Sequence, residues 1–126
     1  MRDKSPVQIR RLSQLSAPRQ AFVRLCQSIN FGEIRGLVVR DSEPVFNPSP
    51  TVLIDLLLEV AEEARHEIEL SDFVLCDEVC KLLRRLDKLR NVQIERIEVR
   101  AGTPRRILYE HALTEALQPP STAPLK

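Results

Sequence analysis

Residues 19–46 read RQAFVRLCQSINFGEIRGLVVRDSEPVF and residues 79–106 read VCKLLRRLDKLRNVQIERIEVRAGTPRR. Superposed at an offset of 60, with no gap, they place Phe22 and Val23 on Leu82 and Leu83, Cys26 on Leu86 and Ile29 on Leu89. Further along, Ile34 falls on Ile94, Leu37 on Ile97, Val39 on Val99, Arg40 on Arg100 and Pro44 on Pro104. In both windows the apolar positions recur first at helical spacing and then at alternate positions, and the change comes at the same offset. One supersecondary unit, a helix followed by a hairpin, occurring twice, accounts for the pattern. The expected fold is α+β: two αββ repeats forming a mostly antiparallel four-stranded sheet with both helices on one face.

The first repeat is expected over 17–60 and the second over 71–112 of a single domain. Ser16 is a suitable N-cap and Pro18 is tolerated in a first helical turn. Phe22, Leu25, Cys26 and Ile29 make the apolar face of that helix, and Asn30 with Gly32 stops it, Asn91 being the counterpart. In the following strands, strict alternation sets Ile34, Gly36, Val38 and Phe46 against Leu37, Val39 and Val45. In the second unit it sets Val92, Ile94 and Glu98 against Gln93, Ile97 and Val99. Residues 40–44 and 101–104 supply the turns, where Gly102 accepts a positive φ. The first unit then inserts Asn47-Pro48-Ser49-Pro50, which predicts a bulge or break at an edge strand. Residues 51–60 fit both strand alternation and a helical face; the strand is preferred because it restores the match to residues 105–110. The second helix is expected from about Asp72 to Leu89, with acids early and Lys81, Arg84, Arg85, Lys88 and Arg90 late, as the macrodipole favours. Residues 1–16 read as a loose arm, 61–70 as an acidic connector and 113–126, with Pro119, Pro120 and Pro124, as a disordered-like tail.

With 126 residues, 43% hydrophobic and only 4% aromatic, the chain can bury one core, and that core must be aliphatic. No run approaches the roughly 20 apolar residues of a membrane span, and the N-terminal residues lack the apolar stretch of a secretory signal. A cytoplasmic location, with no membrane partner, is the expectation. Three cysteines, an odd number, suit free thiols in a reducing compartment. Charge is segregated: residues 1–47 carry eight basic and four acidic groups, 48–78 one and nine, and 79–126 ten and five. Arginine supplies 15 of the 19 positive charges, which suits bidentate contacts to phosphate or carboxylate and equally suits a general compositional bias.

No catalytic signature stands out, and no cofactor or metal is expected. Cys76 and Cys80, four apart, share a helical face that two further ligands would turn into a metal site, but neither Cys26 nor His66 has a familiar zinc spacing, so core packing is the preferred reading. His66 and His111 lack an identifiable nucleophile or orienting carboxylate. Three glycines leave no phosphate-cradling loop. Glu59, Glu62, Glu63, Glu67 and Glu69 lack the pattern of a calcium loop and read as a solvated face.

Phe22 to Ile29 as helix, then Phe31-Gly32-Glu33-Ile34, Val38-Val39-Arg40-Asp41 and a return strand together resemble the small bacterial proteins of the YezD type. The resemblance covers about a quarter of the chain and departs at Ser42, where that family usually has Gly. It implies one helix plus one hairpin per unit, here duplicated, and brings no established activity.

The functional expectation is a non-enzymatic bacterial binding or regulatory module whose partner is a protein, a second copy included. The alternative is nucleic-acid binding through paired arginines of the two hairpins, with Arg35, Arg40, Arg96, Arg100, Arg105 and Arg106 as contacts. The apolar run Val52 to Leu58 exceeds what a strand covered on one face can hide. A homodimer is therefore expected, with Leu53 and Leu57 at the contact.

Overall fold

The computed structural model describes residues 10–59 and 70–111. A 3-10 turn (Leu12–Gln14) leads into helix α1 (Ala17–Ile29), strands β1 (Gly32–Arg40), β2 (Glu43–Val45) and β3 (Thr51–Ile54), helix α2 (Asp77–Leu89), and strands β4 (Val92–Arg100) and β5 (Thr103–Tyr109). All pairings are antiparallel. The order is β2-β1-β4-β5, with β3 also on β1. The fold is α+β, and its sheet has five strands where four were expected. The expected return strand is split: residues 46–50, with a cis Asn47-Pro48 bond, separate β2 beside Val38 to Arg40 from β3 beside Gly32 to Arg35. The strand reading of 51–60 holds only through Ile54; residues 55–59 are neither helix nor strand.

Both helices are 13 residues long, and α1 and α2 start 60 positions apart, as do β1 and β4. Ser16 Oγ accepts the Arg19 amide at 3.4 Å as the cap of α1. The second helix starts at Asp77, later than the expected Asp72; Asp77 and Glu78 in its first turn and Lys88 in its last complement the dipole. Each helix ends on a non-glycine residue at positive φ, Asn30 at 65° and Arg90 at 63°. There the chain reverses tightly, Phe31 N donating to Ile29 O at 2.7 Å and Asn91 N to Leu89 O at 2.6 Å. The second stop is thus Arg90 and not Asn91.

Phe22, Val23, Cys26 and Ile29 of α1 and Val79, Leu82, Leu83 and Leu86 of α2 share one core with Ile34, Leu37 and Val39 of β1 and Ile94, Ile97 and Val99 of β4. Each fully buried aliphatic side chain there is worth about 1.5–3 kcal/mol. Strict alternation had placed Ile34 opposite Leu37 and Ile94 opposite Ile97. In the structure each pair lies on the same face, because both central strands change parity between them. Gly36 adopts φ 75°, and Glu95 has no opposite residue on β5, whose Leu108 and Tyr109 face Arg96 and Ile94. Register Ile34↔Ile97 and Leu37↔Ile94 puts a local twofold axis beside that break.

The turns are two-residue hairpins, with positive φ at Asp41 and Ser42 in one and at Ala101 and Gly102 in the other. Ser42 N donates to Arg90 O and Gly102 N to Asn30 O, each at 2.8 Å. The described part of the expected loose arm is not loose. Leu12 and Leu15 are buried, Arg11 bridges to Val74, and Leu12 N donates to Phe73 O while Leu75 N donates to Arg10 O. No described helix is long and apolar enough to cross a membrane. Val60, the acidic connector up to Glu69, His66 and the tail lie outside the described residues.

Candidate functional site: an apolar edge and a basic groove

The antiparallel β1–β4 pairing decides which of the expected arginines meet. Arg35 and Arg96 are register partners and sit side by side on the face of the sheet away from the core. Arg106 follows on β5 opposite Glu98. These cations alternate with acids. Glu33 lies 2.9 Å from Arg35 and 3.9 Å from Arg96, and Glu98 lies 3.9 Å from both Arg100 and Arg106. The open face is therefore a compensated charge ladder. Arg40 and Arg100 end strands that run in opposite directions, so the turns stand at opposite ends of the sheet, on the order of 25 Å apart for an eight-residue run. The structure does not bring the turn arginines together.

Arg105 occupies a different position. Pro104 faces Val99 and Arg106 faces Glu98, so Arg105 is the extra residue of a bulge, and it lies 3.6 Å from Glu78 on α2. With Arg106 it forms the strand wall of a groove of about 600 Å³. The helix wall is Lys81, Arg84, Arg85 and Lys88, a stripe with spacing i, i+3, i+4, i+7 on the exposed side of α2. Glu78, the acid of this groove, has its carboxyl held below the usual carboxylate range chiefly by its own backbone amide, with help from the Cys76 thiol and from Arg105 and Lys81. The sequence reading saw this stripe only as helix-dipole complementation, because the strand that faces it is a matter of tertiary structure.

The second surface is the opposite edge of the sheet. β3 pairs with β1 alone, and its outer backbone groups face away from the sheet. Val52, Leu53 and Ile54 are exposed, and so are Leu56, Leu57 and Leu58, the last at 87%. Among the described residues nothing covers this run.

Two polar clusters, one buried around Arg19 and one half-exposed around Asp72, have no counterpart in the sequence pattern. Arg19, 7% exposed, stands where the second unit has Val79 and donates from Nη2 to Ser42 O at 2.8 Å and to Asp87 Oδ1 at 2.6 Å. Asp72 accepts from Arg11 Nε, Ser13 N and Ser13 Oγ at 2.8–3.0 Å, and these bonds hold its carboxyl at about 2. Arg24, the counterpart of Arg84, is turned inward, donating to the Leu70 carbonyl and stacking 5.3 Å from the Phe73 ring centre. Cys26 is buried, and desolvation pushes its thiol up to about 12; Cys80 is half-buried and raised for the same reason, whereas Cys76 is exposed. Among the described residues no group of three His, Cys, Asp or Glu side chains is placed to hold a metal ion.

Comparison with family models, with curated proteins and with solved structures finds no match to the chain.

Proposed function

We propose that the protein is a non-enzymatic binding module of αββ duplicate design that works as a homodimer, two copies joining through β3. The observation that carries this reading is an edge strand that combines unpaired backbone groups with exposed Val52, Leu53 and Ile54. Natural edge strands are normally protected by charge, proline or cover. Within Thr51–Ile54 there is none of the first two. Antiparallel pairing of β3 with its symmetry mate satisfies the outer backbone groups and is self-complementary, as a twofold interface requires. The exposed parts of the six apolar side chains amount to roughly 600 Å² per copy, so about 1,200 Å² in total, the lower limit of a standard specific interface. Leu53 and Leu57 lie within that patch, and Glu59 borders it where charges stay hydrated. The two-unit design is supported by the common 60-residue offset of helix and central strand, and the YezD-type resemblance applies to each unit separately.

Sedimentation of the purified chain at tens of micromolar tests the reading. A dimer is expected, with Leu53→Glu and Leu57→Glu each shifting it to monomer without loss of the circular dichroism spectrum. A monomeric parent whose mass and solubility Leu57→Glu leaves unchanged means that the run is covered within the chain, and the proposal fails.

A further inference from the structure

We propose that the groove between α2 and β5 is a site for the phosphodiester backbone of nucleic acid, held without base-specific readout. It lies at the sheet edge opposite β3, so it is independent of the dimer contact.

Lys81, Arg84, Arg85 and Lys88 crowd one stripe of α2, and among the described residues none of the four forms an ion pair. Like charges at i+3 and i+4 repel, so the stripe is unfavourable for the isolated helix and is relieved by an anion. General arginine bias does not account for it. The matching positions of α1 are Ala21, Arg24, Leu25 and Ser28, and there the one cation is engaged with Leu70 and Phe73. The second wall is also specific to this half, since the bulge at Arg105 directs that residue toward α2. Of the six cations that line the groove, Arg105 is met by Glu78 and Arg106 by Glu98, which leaves the four of the helix stripe uncompensated.

The chemistry of the lining selects among polyanions. Protein partners are anchored by aromatic and apolar side chains in pockets. Here the apolar floor consists of Leu82 and Pro104, both already buried, and half-buried Ile107, with no aromatic residue among the lining. The lack of aromatics also removes the stacking that single-stranded bases use. What remains is a row of cations about 10 Å long on the helix, faced by two guanidiniums, which matches an evenly charged backbone. Duplex is therefore the favoured ligand.

The test is fluorescence anisotropy of the full-length protein with a labelled random-sequence DNA duplex, titrated across 50–300 mM KCl. With four to six phosphates neutralised, log K is expected to fall with log salt at a slope of about −4 to −5. Arg85→Glu with Lys88→Glu, both exposed positions, should weaken binding at least tenfold and reduce the slope by about 2. Arg35→Glu, on the compensated open face, should leave affinity within twofold. Sedimentation of the charge-reversal variant, unchanged from the parent, separates this site from the dimer contact. The proposal is overturned by an absence of duplex binding at 50 mM KCl, by binding that the groove variant leaves intact, or by poly-glutamate competing as well as unlabelled duplex. The last outcome assigns the groove to an acidic protein segment.

Discussion

Gly32 is the position at which one added methyl group tests how β3 is held. A Cβ there would lie 2.0 Å from the carbonyl oxygen of Leu53 and 3.0 Å from Cγ2 of Ile29. Non-bonded contact begins at roughly 3.5 Å, so in Gly32→Ala the edge strand must retreat by more than about 1 Å, beyond what its ladder hydrogen bonds tolerate. Four residue pairs join β3 to β1, from Gly32↔Ile54 to Arg35↔Thr51. An antiparallel ladder of that length holds up to about four hydrogen bonds, each worth about 1 kcal/mol net. Little burial is lost with them, because Val52, Leu53 and Ile54 are already exposed. Restricting the unfolded chain by replacing glycine returns about 0.5–1 kcal/mol. The expected net loss is about 3 kcal/mol, on the order of 15 °C in Tm for about 100 ordered residues. Urea unfolding measures the loss, and amide exchange at residues 51–55 locates it. Unchanged stability together with unchanged protection of those amides refutes the reasoning, since it would mean that β3 does not depend on close approach to β1.

Arg19→Ala removes a buried guanidinium with two short acceptors and the stem that packs beside them; Asp87 can rehydrate, so a loss of about 2–3 kcal/mol is expected from urea midpoints, with little change in slope. Asp72 titrates at about 2 when folded against 3.8 for the free group. Because the folded value is depressed, its contribution is complete above pH 3.8 and disappears as pH falls through about 2. Carboxyl NMR should place that midpoint near 2, and Asp72→Asn should abolish the acid-dependent loosening of the segment around Leu12 and Leu15.

Periodicity and the 60-residue offset were enough to read an α+β fold with two helices, each followed by antiparallel strands, and most of the core from the sequence. The failures have local causes. Parity across Gly36 and Glu95 was misread because a bulge costs one residue and leaves no trace in an alternating count, although a glycine inside an apolar strand was a signal for it. The return strand was drawn too long because Val52, Ile54, Leu56 and Leu58 keep alternating after pairing has ended. Gly32 against Val92 was the neglected difference between the units. The glycine is needed where β3 passes, whereas the β5 pairing ends at Tyr109 opposite Ile94 and leaves room for valine. The basic groove stayed hidden because its two walls, Lys81 to Lys88 and Arg105 with Arg106, are separated in sequence by the whole of β4 and meet only through α2 packing against β5.

The reciprocal fastening of the turns has a consequence for how the molecule comes apart. Ser42 is tied to Arg90 and Gly102 to Asn30, and between those clasps β1 and β4 form the central seam. The chain before residue 60 and the chain after residue 69 thus close each other, and neither hairpin is finished without the other's helix end. Such an object opens as a whole, so its innermost amides exchange only through global unfolding. By the same geometry, cleavage between residues 60 and 69 leaves two fragments whose complementary strands and turns still fit. Mixed in solution, they should reassociate into a two-piece protein, as a clasp closes whether or not its halves share a cord.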